Sequence, residues 1–69
     1  MRIYQLTQLG HRLARNTNNP DTANWRVLHE MDKLDYATTD QLVIATGLEE
    51  NEVAGAVMLL RRKKLLQER

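Results

Sequence analysis

Asn51 and Arg62 are the side chains best equipped for chemistry in this chain, and that chemistry is the reading of base edges. An asparagine amide can pair with adenine. A guanidinium can pair with guanine or hold a phosphate, and a good bidentate contact discriminates by about 1–3 kcal/mol. Arg62 lies in a run of four cations, Arg61, Arg62, Lys63 and Lys64. Arg2 and Arg69 stand near the two ends, and Arg12 and Arg15 sit three apart. Each phosphate met by such groups adds salt-dependent affinity that carries no sequence information. Glu49, Glu50 and Glu52 work against this, because they open the segment that holds Asn51. Carboxylates in a first helical turn complement the helix dipole by about 0.3–1 kcal/mol each, and cations in a last turn do the same at the other end. Both clusters therefore have a structural explanation beside the functional one.

Other chemistries find little support. His11 and His29 fall on different expected helices, and His29 with Asp32 at i, i+3 reads as a solvated helix face. That pair supplies too few ligands for a metal site. The carboxylates at 49, 50 and 52 lack the glycine turn of a calcium loop. No glycine-rich phosphate motif is present, and the absence of cysteine excludes disulfides and thiolate sites. The expectation is a protein that is not an enzyme, with no metal, no cofactor and no small-molecule substrate.

Four helices must position these groups. Thr7 is the expected N-cap for a first helix whose stripe is Leu6, Leu9, Leu13 and Ala14, with Gly10 inside it suiting a close packing contact. The polar stretch at 15–20 ends it. Asn19 and Pro20 suit the start of a second helix over about 20–34, carrying Leu28, Met31 and Leu34 or Asp35 inward with Trp25 and Val27 on the flanks. Thr38 and Gln41 have capping-box spacing for a third helix, with Leu42 and either Ala45 or Val43 inward and Gly47 in the left-handed region at its end. The fourth covers about 49–63. Leu48 and Val53 have the spacing of a hydrophobic staple, and Val53, Ala56, Val57 and Leu60 form the buried stripe. At about 100° per residue the opposite line is Asn51, Gly55, Met58 and Arg62, so Glu50 and Glu52 fall on the flanks. Residues 2–6 and "LLQER" at 65–69 read as short strands.

A length of 69 residues bounds the chain to one domain, 1–69, of modest stability. The core must be aliphatic, since Trp25 is the only indole and phenylalanine is absent. A net charge of +1 makes the distribution of charge matter more than its sum. Neither a signal peptide nor 18 consecutive apolar residues can be found, so the expectation is a soluble, cytoplasmic protein away from membranes.

The stretch "WRVLHEM…ATTDQLVIATGLEENEVAGAVMLLRRKKLL", residues 25–66, resembles the winged helix-turn-helix domain. That family runs from a first helix to a Thr-capped helix ending in T-G-L, then to a recognition helix of the form V-x-x-A-[LV]-x-x-L and a strand. "YQLTQLGHRLA", residues 4–14, is similar to the strand and helix that follow the wing in the family, but here it comes first. Lys64 stands where the family often has glycine. The resemblance implies a winged helix opened at its wing. Its fold would be mainly α and winged-helix-like, with four helices and a two-stranded antiparallel sheet made by residues 2–6 and 65–69. It further implies a small DNA-binding protein, a transcriptional regulator, contacting duplex DNA through Arg2, Thr39, Asn51, Arg61, Arg62, Lys63, Lys64 and Arg69. Arg2, Lys63, Lys64 and Arg69 would form a basic edge, and a dimer or a larger assembly would be needed for useful specificity. The alternative is a protein-interaction module that docks a partner, or a second copy, through Ala54, Gly55, Met58 and Leu59. Methionine there would adapt to an irregular apolar surface.

Overall fold

Thr7 caps the first helix as its position suggests: the Gly10 amide donates to Thr7 Oγ1 at 3.1 Å. In a computed structural model, which describes residues 2–16 and 22–69, the chain runs β1 (Tyr4–Leu6), α1 (Gln8–Asn16), α2 (Ala23–Lys33), α3 (Thr39–Thr46), α4 (Glu50–Arg62) and β2 (Leu66–Glu68). The fold is mainly α, with a two-stranded antiparallel sheet from the N- and C-terminal segments in the register Tyr4–Glu68, Gln5–Gln67 and Leu6–Leu66. β1 also exchanges two hydrogen bonds with Ala37 on its other side, of 2.8 and 2.9 Å through the Tyr4 and Ala37 amides. The loop between α2 and α3 is thereby pinned to the sheet, a contact the sequence pattern does not announce.

α2 is the central helix and packs against α1, α3, α4 and β1. Its residues Val27, Leu28 and Met31 are fully buried with Leu42 of α3 and Val53 of α4. Each such side chain contributes about 1.5–3 kcal/mol by leaving water. Tyr4, Leu6, Ala14, Ala37, Ala56, Val57, Leu60, Leu65 and Leu66 complete the core cluster, and Leu13, Trp25, Leu34, Val43 and Leu48 pack on its edge. Val27 belongs to this centre and not to a flank. Among the described residues no helix is long and apolar enough to cross a membrane.

Two local expectations need correction. α2 begins at Ala23 with Thr22 as its N-cap, where the Trp25 amide donates to Thr22 Oγ1 at 3.3 Å. The proposed start at Asn19 and Pro20 lies outside the described residues. Leu9 is 52% exposed, because the face α1 buries is that of Gly10 and Ala14. Gly10 abuts the Leu65 carbonyl, and that close approach fixes the rotation of the helix. On α3 the alternative left open resolves to Val43, which packs inward, whereas Ala45 faces solvent.

The caps of α3 follow the sequence. The Gln41 amide donates to Thr38 Oγ1 at 3.2 Å, and the Thr38 amide donates to Gln41 Oε1 at 2.8 Å, a reciprocal capping box. Gly47 ends α3 in the left-handed region at φ 74°. Thr46 secures the turn, donating to the Leu42 carbonyl at 2.6 Å and accepting from the Leu48 amide at 3.2 Å.

Candidate nucleic-acid interface

α4 starts with Glu52 Oε1 accepting from the Glu49 amide at 3.4 Å, and Glu49, Glu50 and Glu52 are all exposed. Val53, Ala56, Val57 and Leu60 are buried. The opposite line, Asn51, Gly55, Met58 and Arg62, is exposed along its whole length, and Met58 is 63% accessible. A Cβ added at Gly55 would meet nothing within 4 Å. Glycine inside a helix costs about 1 kcal/mol relative to alanine, and no contact within the chain requires it here.

The end of α4 is closed by a Schellman motif. The Leu65 amide donates to the Leu60 carbonyl at 2.9 Å, and the Lys64 amide donates to the Arg61 carbonyl at 3.0 Å. Lys64 takes the left-handed position at φ 63°, which glycine fills without strain. Thr7 holds this turn from the other end of the chain: its Oγ1 donates to the Lys64 carbonyl at 2.8 Å and its amide donates to the Leu65 carbonyl at 3.0 Å. The direction in which the 61–64 cations leave the body is therefore set by a contact 57 residues away in sequence.

An open groove of about 480 Å³ runs between α4, the start of α3 and the first residues of the chain. Its lining includes Arg2, Thr39, Ala54, Met58, Arg61 and Arg62. Of the eight expected DNA contacts, Arg2, Thr39, Arg61 and Arg62 thus meet at one place, and Asn51 continues the exposed line on α4. Tyr4 forms part of the floor, with the Arg61 guanidinium 5.7 Å from its ring centroid. Tyr4 is not among the expected contacts, although strand alternation from Arg2 to Tyr4 puts both on one face. Arg2 Nε also reaches Glu68 Oε1 at 3.5 Å, an exposed pair of little energetic weight.

The expected basic edge of Arg2, Lys63, Lys64 and Arg69 does not assemble. The Arg69 amide donates to the Ile3 carbonyl, so Arg69 shares the face of Ile3, opposite to that of Tyr4. Its guanidinium lies over Tyr36, 4.7 Å from the ring centroid. Lys63 turns toward a cleft lined by Leu13, Trp25 and Leu65. Lys64 lines a separate hollow with Arg61, Gln67 and Glu68. α4 ends at Arg62, and the backbone then turns through the left-handed Lys64, so the cations of the 61–64 run leave in different directions and do not become an edge in space.

The alternative patch also loses a member. Ala54, Gly55 and Met58 are exposed, whereas Leu59 is half-buried in the cleft with Leu13 and Trp25. The histidines behave differently from expectation as well. Asp32 pairs with His11, whose Nδ1 lies 2.8 Å from Asp32 Oδ1, and with Arg15 at 3.9 Å, linking α1 to α2. His29 does not share this carboxylate in the structure; its Nε2 is buried without a hydrogen-bond partner among the described residues. No sequence signal distinguishes the two pairings, because i, i+3 spacing favours His29 while the helix crossing favours His11. No family model, no curated protein and no solved structure matches this chain.

Proposed function

We propose that the protein binds duplex DNA, with α4 as the reading helix and the groove beside it as the phosphate site, in the manner of a small transcriptional regulator of the cytoplasm. The observation that carries this reading is the convergence of Arg2, Thr39, Arg61 and Arg62 on one open groove next to the exposed Asn51–Arg62 line. The likeness of residues 25–66 to winged helix-turn-helix sequences supports it. In this arrangement Arg61 and Arg2 meet the backbone, and the Thr39 hydroxyl adds a neutral phosphate contact. Asn51 and Arg62 face base edges, where amide and guanidinium have their complementary partners on adenine and guanine. Helical rotation puts the exposed Glu50 and Glu52 on the flanks of α4, which leaves this line open.

Fluorescence anisotropy with random duplex DNA over a salt series tests the reading. Binding weakens with salt, and the slope of log affinity against log salt shrinks by about 0.9 for each phosphate contact removed. Arg61→Ala and Arg2→Ala each remove one such contact. Lys63→Ala and Arg69→Ala leave the slope nearly unchanged, since those side chains point elsewhere. Equal effects from all four substitutions, or no binding at high micromolar protein near physiological salt, would overturn the groove as a DNA site.

A further inference from the structure

We infer that the outer face of α4 is a docking surface for a second copy of this chain, packed antiparallel about a two-fold axis. The exposed line Asn51, Gly55, Met58 and Arg62 has the four-three-four spacing of a coiled-coil seam, and its outward position is unoccupied within the chain. Let the axis pass at the level of Ala56 and Val57, the middle of the exposed line. Asn51 then faces Arg62 of the second copy, and Gly55 faces Met58. Each copy presents the same patch, as an isologous contact requires. Gly55 offers the depression, with open space where its Cβ would be, and Met58, 63% exposed, is the flexible apolar side chain that fills it.

The charges select the orientation. On one flank Glu50 comes beside Arg61 of the second copy. This pair occurs twice by symmetry, and both side chains are exposed. A parallel arrangement would set glutamates against glutamates and cations against cations, which like-charge repulsion disfavours. One helix pair covers less than the roughly 800 Å² per partner of a standard interface, so the association is weak and reversible. In the pair, Asn51 and Arg62 are covered, so a dimer cannot present them to DNA. That exclusion rests on the DNA reading above, whereas the pairing does not.

Sedimentation velocity of the full chain, from low micromolar to low millimolar concentration, tests the proposal. The mass rises toward that of a dimer. Glu50→Arg and Arg61→Glu each weaken association by at least about tenfold, and the double variant, which re-creates opposite charges across the axis, restores it. Gly55→Gln, a substitution that folds into open space, abolishes association while the circular-dichroism melt stays cooperative. A mass that remains monomeric throughout, or a double variant no better than its parents, overturns the pairing and leaves the DNA reading untouched. Random duplex DNA added to the wild-type dimer is expected to dissociate it. A dimer that behaves as described under charge exchange, with no binding or dissociation by DNA, keeps the pairing and removes the DNA reading.

Discussion

At the scale of single residues the sharpest feature is Lys64, a lysine in a backbone conformation that favours glycine. The left-handed region brings Cβ toward the following carbonyl oxygen and costs about 1–2 kcal/mol. Glycine avoids this but loses more freedom on folding, by about 0.5–1 kcal/mol. Lys64→Gly is therefore expected to raise stability by about 0.5–1 kcal/mol, a melting temperature higher by about 2–8 °C in a chain of this size. Lys64→Ala keeps the Cβ and is expected to gain nothing. If both substitutions stabilise equally in a thermal melt, relief of repulsion within the 61–64 run is the cause and not the backbone. Lys64 thus holds a strained turn, and the Thr7 hydroxyl bond to its carbonyl keeps that turn in place.

At the scale of elements, caps decide where each helix stops and hence what its ends can reach. α3 has only eight residues, too short to be stable by itself, so its capping box and the Gly47 turn contribute a large part of its definition. Thr38→Ala removes the bond to the Gln41 amide and is expected to cost about 1 kcal/mol in a urea or thermal unfolding curve, while Thr38→Asp retains most of it. An unchanged midpoint in Thr38→Ala would mean that packing of Leu42 and Val43 alone holds the helix. The same cap sets Thr39 at the rim of the groove, so this substitution is also expected to weaken any ligand held there. α4 shows the complementary case: its buried stripe is fixed by four apolar residues, which leaves the composition of the opposite line free of any internal demand.

At the scale of the whole molecule the chain is closed by contacts between its two ends. β1 pairs with β2, Thr7 binds the turn after α4, and Gly10 gives the Leu65 carbonyl room to approach. A Cβ at position 10 would run into that carbonyl oxygen, so Gly10→Ala is expected to cost about 3 kcal/mol through overpacking. That is a large share of the roughly 3–10 kcal/mol expected for a domain of this length. A Gly10→Ala variant as stable as the parent in denaturant unfolding would show that α1 does not seat on the terminal sheet as described. Much of this was legible beforehand. Periodicity gave the α4 stripe and its exposed line, side-chain chemistry gave the caps at Thr7, Thr38 and Gly47, and the likeness to a family pattern paired the two ends. These are local properties or matched patterns, which a sequence carries directly. The rotation of α1 about Gly10, the choice of His11 over His29 by Asp32, the Ala37 bridge, and the scattering of Lys63 and Arg69 away from Arg2 were decided by tertiary packing. Each depends on where two distant segments touch, and a side chain's direction around a helix or across a strand is settled only when its neighbour occupies one of the available sides.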